Sequence, residues 1–130
     1  MSGSYKLPDE WFKQADYDLG TAESMLNTGS YIYTIFMCHL SLEKALKGVY
    51  ASKLKKNPPR THNLNFICEM MDFDVPGKYQ DFIDNLTNLS VPTRYPEDLE
   101  KLLTDFKKDT TREVFEQSKE LLSWLKENTV

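Results

Sequence analysis

The chain has 130 residues, a length that fits one domain with a buried core of its own. Hydrophobic residues make up 40% and charged residues 28%, which is ordinary for a soluble globular protein and too apolar for a disordered one. The formal net charge of -4 excludes a protein that coats DNA or RNA non-specifically, because such binding requires many cations to neutralise phosphates.

The chain carries no signal for secretion or membrane insertion. Residues 1–8 lack the apolar run of a signal peptide, and no later window approaches the uninterrupted apolar length of a membrane span. Cys38 and Cys68 each lie in an apolar helical pattern, outside any metal-ligand or redox spacing. We therefore expect buried thiols and a cytoplasmic protein without membrane contact.

The first two predicted helices are bounded by turn residues. Apolar residues at helical spacing run from Pro8 to Leu26, where 27–29, Asn-Thr-Gly, end the first helix. The second helix runs from Tyr31 to about Leu54, before the Pro-Pro pair at 58–59. Because it is the longest and most apolar segment, we expect it to be central.

A polar stripe interrupts this apolar second helix. His39, Glu43 and Lys47 follow one another at intervals of four residues, which places them on one face. Charged groups on a mostly buried helix require partners, and such stripes often line a cleft. The stripe therefore predicts a site without naming a reaction.

Two shorter segments come next. Apolar spacing predicts a third helix over roughly Leu64 to Met71, closed by the Pro-Gly pair at 76–77. A fourth helix is predicted from about Lys78 to Leu89. Two prolines occur in the following segment, 90–96, and each disfavours helical geometry in the residue before it, which predicts an irregular loop.

Arg94 and Tyr95 lie in this predicted loop. The Arg94 guanidinium can be held toward a phosphate or carboxylate, with Tyr95 beside it as a stacking face for a base. Alternatively, Arg94 pairs with Glu43 and Tyr95 packs under the loop, which would lock the fourth helix to the second. The two interpretations do not exclude each other.

The C-terminal third is predicted to be helical as well. Helical spacing covers Leu99 to Phe106 and Val114 to Leu125, with a break predicted at 107–111. No stretch has the alternation of a strand. The sequence thus predicts an all-α fold, an up-and-down helical bundle of four principal helices plus short extra helices, with 1–130 as a single domain.

Several common sites are excluded by spacing. The glycines are scattered, so no Rossmann or P-loop nucleotide site is expected. His39 and His62 lack companions at metal-ligand spacing, so we expect neither a metal nor a cofactor. The basic residues around the 57–59 break fit a solvated helix end better than a phosphate site. They are Lys53, Lys55, Lys56 and Arg60.

Three motifs together resemble the HEPN domain family (higher eukaryotes and prokaryotes nucleotide-binding). They are 31–47, which ends in Leu42-Glu43-Lys44-Ala45-Leu46-Lys47, then Thr61-His62-Asn63-Leu64, then Thr93-Arg94-Tyr95-Pro96. Their content, order and separation match, and the likeness spans nearly the whole chain. The resemblance implies a helical bundle that is frequently dimeric.

The resemblance implies several functions on one fold. The family includes metal-independent ribonucleases, toxins of toxin-antitoxin pairs, and small domains partnered with minimal nucleotidyltransferases. Its ribonucleases share an arginine followed four to six residues later by a histidine, and Arg60, Arg94 and Arg112 have none at that distance. We therefore expect a module without strong catalysis of its own that binds a nucleotide or RNA-like anionic ligand, a nucleotidyltransferase partner, or both. The alternatives are a ribonuclease toxin and a structural dimerisation domain.

In the binding module, Lys47 and Arg94 would hold phosphate, Tyr95 would stack, and Glu43 and His62 would orient them. In the ribonuclease, His62 would be the general acid or base and Arg94 would stabilise the transition state. A homodimer is expected because so short a bundle, with many aromatics on its early helices, leaves an apolar face uncovered. The candidate interface aromatics are Tyr31, Tyr33, Phe36 and Trp124.

Overall fold

Residues 4–94 and 97–129 are described by the computed structural model, and in these ranges the chain forms six helices and no strand. The helices are α1 (Pro8–Asn27), α2 (Tyr31–Leu54), α3 (Leu64–Met70), α4 (Gly77–Arg94), α5 (Leu99–Asp105) and α6 (Lys108–Glu127). Four are long and two have seven residues each. The predicted all-α bundle with four principal helices is confirmed.

The N-terminal hairpin follows from its terminal residues. Pro8 suits the first turn of α1 because its fixed φ is helical, and the carboxylates of Asp9 and Glu10 complement the helix dipole there. Gly29 ends the helix with φ +83°, a conformation that glycine adopts without steric cost. The chain therefore turns back at once into α2, and the predicted bounds of both helices are confirmed.

Helix α2 is the centre of the bundle, as predicted, and packs against all five other helices. Its contact with α1 is close at Gly48, where a Cβ atom would lie 3.0 Å from the Phe12 ring and 3.1 Å from Cβ of Trp11. Nearby, the buried Ser41 hydroxyl donates to the Ala15 carbonyl at 2.7 Å. These contacts fix α1 firmly on α2.

Both cysteines are free and buried, as predicted. Burial raises the pKa of the Cys38 thiol to about 12 and that of the Cys68 thiol to about 11. Because the thiolate is the reactive form, neither side chain is a nucleophile at neutral pH.

The prediction of an irregular loop from residue 90 is wrong for 90–94, which are the last residues of α4. Pro92 lies inside this helix and removes one backbone N–H donor. Only two residues follow it in α4, so the loss is confined to the final turn. There the Ser90 hydroxyl donates to the Thr87 carbonyl, and the Thr93 hydroxyl donates to the Ser90 carbonyl. Arg94 is therefore placed by a helix and not by a loop.

The break predicted at 107–111 is shorter than expected. Phe106 and Lys107 have extended backbone conformations, and α6 begins at Lys108. Thr111 is buried inside α6. In the described part of the chain, no helix is both long and apolar enough to cross a membrane.

Candidate functional site

The site is built on the carboxylate of Glu43, whose side chain is only 5% exposed in the middle of α2. Lys47 Nζ lies 3.1 Å from its Oε2 atom, and His62 Nδ1 lies 2.9 Å from its Oε1 atom. Arg94 Nη2 lies 3.7 Å from the same Oε1 atom. We call these four residues the Glu43 cluster. It brings together α2, the segment before α3, and the end of α4.

Local structure places His62 against α2. After the prolines at 58–59, the Thr61 amide donates to the Pro59 carbonyl, and the Thr61 hydroxyl accepts from the Asn63 amide. The Asn63 side chain then caps α3 by accepting from the Phe66 amide. The turn and the cap fix both sides of His62. The Thr-His-Asn motif thus positions the imidazole of His62.

The imidazole of His62 has a defined orientation. A carboxylate oxygen only accepts hydrogen bonds, so Nδ1 of His62 donates to Glu43. In the neutral ring this leaves Nε2 as an acceptor. The side chain is 64% exposed, which makes it the most accessible member of the cluster.

His39 also contacts Arg94. It lies one turn before Glu43 and is buried, and its Nδ1 atom is 3.5 Å from Arg94 Nη2. Burial, and then the charge of Arg94, lower the pKa of His39 to about 4, although Glu43 opposes this shift. His39 is therefore neutral at pH 7 and accepts a hydrogen bond from Arg94. The Arg94 guanidinium also lies 4.6 Å from the centroid of the Phe36 ring.

The cluster carries an excess of positive charge. Lys47 and Arg94 are two permanent cations around the one carboxylate of Glu43, which leaves a formal charge of +1 while His62 is neutral. The side chains of Lys47 and Arg94 are 11% and 17% exposed. An anion approaching from solvent would meet His62 first and then Arg94. The arrangement can therefore bind a small anionic group at its surface.

The structure brings Glu43, Lys47, His62 and Arg94 together, while Tyr95 lies outside the described residues. Ligand binding by these residues stays a prediction. The ion pair between Arg94 and Glu43, one of the two interpretations of the arginine, is present. Sequence reasoning missed the contact of Arg94 with His39. Pairing across two helices leaves no trace in local spacing.

Two basic residues at the end of α2 donate hydrogen bonds to backbone carbonyls. Lys53 Nζ donates to the Asp72 carbonyl and Lys55 Nζ donates to the Ser52 carbonyl, at 3.0 and 2.9 Å. The Lys55 contact, in the last turn of α2, agrees with the helix-end interpretation, whereas Lys53 connects α2 to the chain after α3. Among the residues that the structure describes, no group of three potential ligands could hold a metal ion.

The Glu43 cluster lies apart from a groove of about 810 Å³ between the start of α1 and the ends of α2 and α6. The walls of this groove include Lys13 and Lys126, but these lysines pair with Glu10 and Asp16. We consider the Glu43 cluster the better candidate, because Lys47 and Arg94 are largely buried around one carboxylate, whereas the lysines of the groove are exposed to water. A phosphate held by guanidinium and imidazole groups at a surface does not need a deep cavity.

Two solved structures share this fold. One is TT1696 from Thermus thermophilus, with 22% identity, a TM-score of 0.80, and coverage of 92% of this chain and 96% of that one. The other is ST0689, an archaeal HEPN homologue, with 22% identity, a TM-score of 0.79, and coverage of 96% and 99%. A comparison with curated proteins found no match. The family model of the HEPN domain matches residues 8–128, and the chain therefore belongs to the HEPN domain family.

Proposed function

We propose that the Glu43 cluster binds the phosphate of a nucleotide or of an RNA-like ligand. The observation that carries this proposal is the convergence of Lys47, His62 and Arg94 on one buried carboxylate, with a formal excess of one positive charge. Positive charge in a partly desolvated site attracts anions more strongly than the same charge in water. Because the whole chain has a net charge of -4, we expect anions to bind only at this local positive surface.

Arg94 has the right geometry for phosphate. Its contacts with Glu43 and His39 both use one terminal nitrogen, Nη2. The guanidinium carries five N–H donors in a planar fork, which matches the oxygens of a phosphate. In this proposal Glu43 holds the cations in place, Arg94 and His62 contact the ligand, and Lys47 adds charge from behind.

A binding titration tests the proposal. The probe is a fluorescein-labelled single-stranded RNA oligonucleotide, followed by anisotropy at several salt concentrations. Arg94→Ala should weaken binding about ten-fold or more, because hydrogen bonds to charged groups contribute about 1.5–3 kcal/mol. It should also make binding less dependent on salt, because one phosphate contact is lost.

The matched control is Lys78→Ala, at the other end of the same helix. Lys78 forms an exposed ion pair with Glu120, so its loss should leave both affinity and helical content unchanged. If Arg94→Ala loses its helical circular dichroism, His62→Ala tests the same site with a side chain that is mostly exposed. If Arg94→Ala and His62→Ala are folded and both bind as tightly as the wild type, the proposal is refuted.

A second candidate, a metal-independent ribonuclease, is favoured by the contact between His62 and Glu43. A carboxylate that accepts from Nδ1 orients the ring and leaves Nε2 free to act as a general base. Arg94, on the same carboxylate oxygen, is placed to stabilise charge in a transition state. The chain lacks the arginine–histidine spacing of the family's ribonucleases, so binding without cleavage remains the first proposal.

We further propose that 1–130 acts as one cytoplasmic domain and forms a homodimer, with a nucleotidyltransferase as an alternative partner. Exposed apolar side chains support an interface, and they include Tyr33, Val91, Leu99 and Leu103. Of the other aromatics named from the sequence, Tyr31 and Trp124 are partly buried against the core, and Phe36 is partly buried against Arg94. Light scattering at micromolar concentration should give the dimer mass, and a monomer alone would contradict the proposal.

A further inference from the structure

Trp11 of α1 lies beside the Glu43 cluster. Lys47 Nζ, which contacts Glu43, is 5.8 Å from the centroid of the Trp11 ring. The close approach of the two helices at Gly48 places the start of this side chain against α2, since a Cβ atom on that glycine would lie 3.1 Å from Cβ of Trp11. A ligand that contacts Lys47 therefore comes close to an aromatic ring.

Lys6, in the segment before α1, covers this aromatic ring. Its Nζ atom is 4.1 Å from the centroid of the Trp11 ring, and its backbone amide donates to Asn57 Oδ1 at 3.2 Å. Both Lys6 and Asn57 are exposed, so water competes for each contact. Lys6 is thus a weak and replaceable occupant of the aromatic surface.

The indole nitrogen of Trp11 adds an independent observation. Trp11 Nε1 is buried, and no atom of the described residues accepts a hydrogen bond from it. Buried donors are normally paired, because an unmet hydrogen bond in a dry environment is unfavourable. Because this N–H group lies in the plane of the ring, it does not take part in stacking, and the faces of the ring are the surface that a ligand can contact.

We propose that a nucleobase stacks on Trp11 in place of Lys6, while Arg94 and His62 hold the attached phosphate and Lys47 adds positive charge behind them. This inference rests on the proposed function and narrows the ligand to an unpaired nucleotide, free or within single-stranded RNA. Stacking of a base on an aromatic side chain is stronger than an exposed lysine–indole contact and does not depend on which base is present. A base within a duplex already stacks on its neighbours and cannot enter.

Two small molecules allow the contributions of the base and of the phosphate to binding to be measured separately. Adenosine monophosphate carries both, whereas ribose 5-phosphate carries the phosphate alone. We expect wild-type protein to bind adenosine monophosphate at least ten-fold more tightly than ribose 5-phosphate. Trp11→Leu should reduce this ratio to near one and leave the affinity for ribose 5-phosphate unchanged. Lys6→Ala should tighten adenosine monophosphate binding about two- to five-fold, because the competing contact is gone.

A spectroscopic measurement does not require a change at Trp11. The chain has two tryptophans, and Trp124→Phe leaves Trp11 as the only one. Adenosine monophosphate should then quench the emission of Trp11, and ribose 5-phosphate should not. This readout remains decisive if Trp11→Leu does not fold.

The possible failures are distinguishable. If both compounds bind with equal affinity and Trp11 emission is unchanged at saturation, the stacking inference is overturned and phosphate binding survives. If neither compound binds, the proposed function fails and the inference fails with it.

Discussion

Arg94 Nη2 lies 3.7 Å from Glu43 Oε1, so the last residue of α4 is tied to the middle of α2. Both side chains are largely removed from solvent, where the attraction between charges is stronger than in water. The same carboxylate also holds Lys47 and His62. One acidic side chain thus stabilises the bundle and organises the candidate site.

Replacing Glu43 should therefore destabilise the fold. Glu43→Ala leaves Lys47 and Arg94 largely buried without their counter-charge, and breaking a buried ion pair costs about 3–5 kcal/mol. The free energy of unfolding in urea, followed by circular dichroism, measures the loss. Glu120→Ala is the control, because it removes only the exposed pair with Lys78 and should cost less than about 1 kcal/mol. Similar losses in both variants would contradict a structural role for Glu43.

Stability should fall with acid because of His39. The pKa of His39 is lowered to about 4 in the folded protein from 6.5, so between these values the unfolded chain binds more protons than the folded one. Stability is then complete above about pH 6.5 and decreases as the pH falls toward 4. By linkage the loss between pH 7 and pH 5 is about 2 kcal/mol.

His39→Gln isolates this contribution. Glutamine can still accept a hydrogen bond from Arg94 but does not take up a proton. Urea unfolding at several pH values should give a shallower decline for the variant than for the wild type between pH 6.5 and 4. Parallel profiles would mean that His39 titrates normally in the folded state.

Replacing glycine by alanine should change the stability of the protein in opposite directions at two positions. Gly48→Ala would place Cβ 3.0 Å from the Phe12 ring and 3.1 Å from Trp11 Cβ, so overpacking should cost about 1–3 kcal/mol despite the better helix propensity of alanine. Gly20→Ala meets nothing within 4 Å and should stabilise α1 by about 0.5–1 kcal/mol. Thermal unfolding of both variants measures the difference. A gain in stability at Gly48 would disprove the close approach of α1 and α2.

His62→Gln separates binding from catalysis. Glutamine keeps one hydrogen bond, so the variant should retain most of its affinity for single-stranded RNA. If the protein is a ribonuclease, the same change should reduce cleavage without added metal about 10²-fold or more, the usual effect of removing a general acid or base. Gel analysis of RNA incubated with each protein in a chelator measures cleavage. If the wild type cleaves RNA and the variant does not, the ribonuclease proposal would replace the proposal of a binding module.

Much of the fold was predictable because its signals are local. Pro8 and Gly29 mark the ends of α1, and the apolar length of α2 identified the central helix. The end of α4 was not predictable, because the rule for residues before proline favours a loop there. In the structure this segment is helical, and its last residue, Arg94, contacts Glu43 and His39, which are far away in sequence.

The candidate site divides in the same way. The spacing of Glu43 and Lys47 placed both on one face, and their ion pair follows from it. The contact of His62 with that face, and the place of Trp11 beside it, depend on how separate segments pack. Local spacing carries no information about such contacts.

Pro92 weakens the hydrogen bonding of the last turn of α4. Because the ring nitrogen of Pro92 has no proton, one backbone hydrogen bond of α4 is missing two residues before Arg94. This turn can then fray while the other helices stay closed, which is local rather than global unfolding. Amide hydrogen exchange at Thr93 and Arg94 should accordingly be faster than in the first half of α4. A bound anion that contacts Arg94 would add a partner at this turn and should slow that exchange.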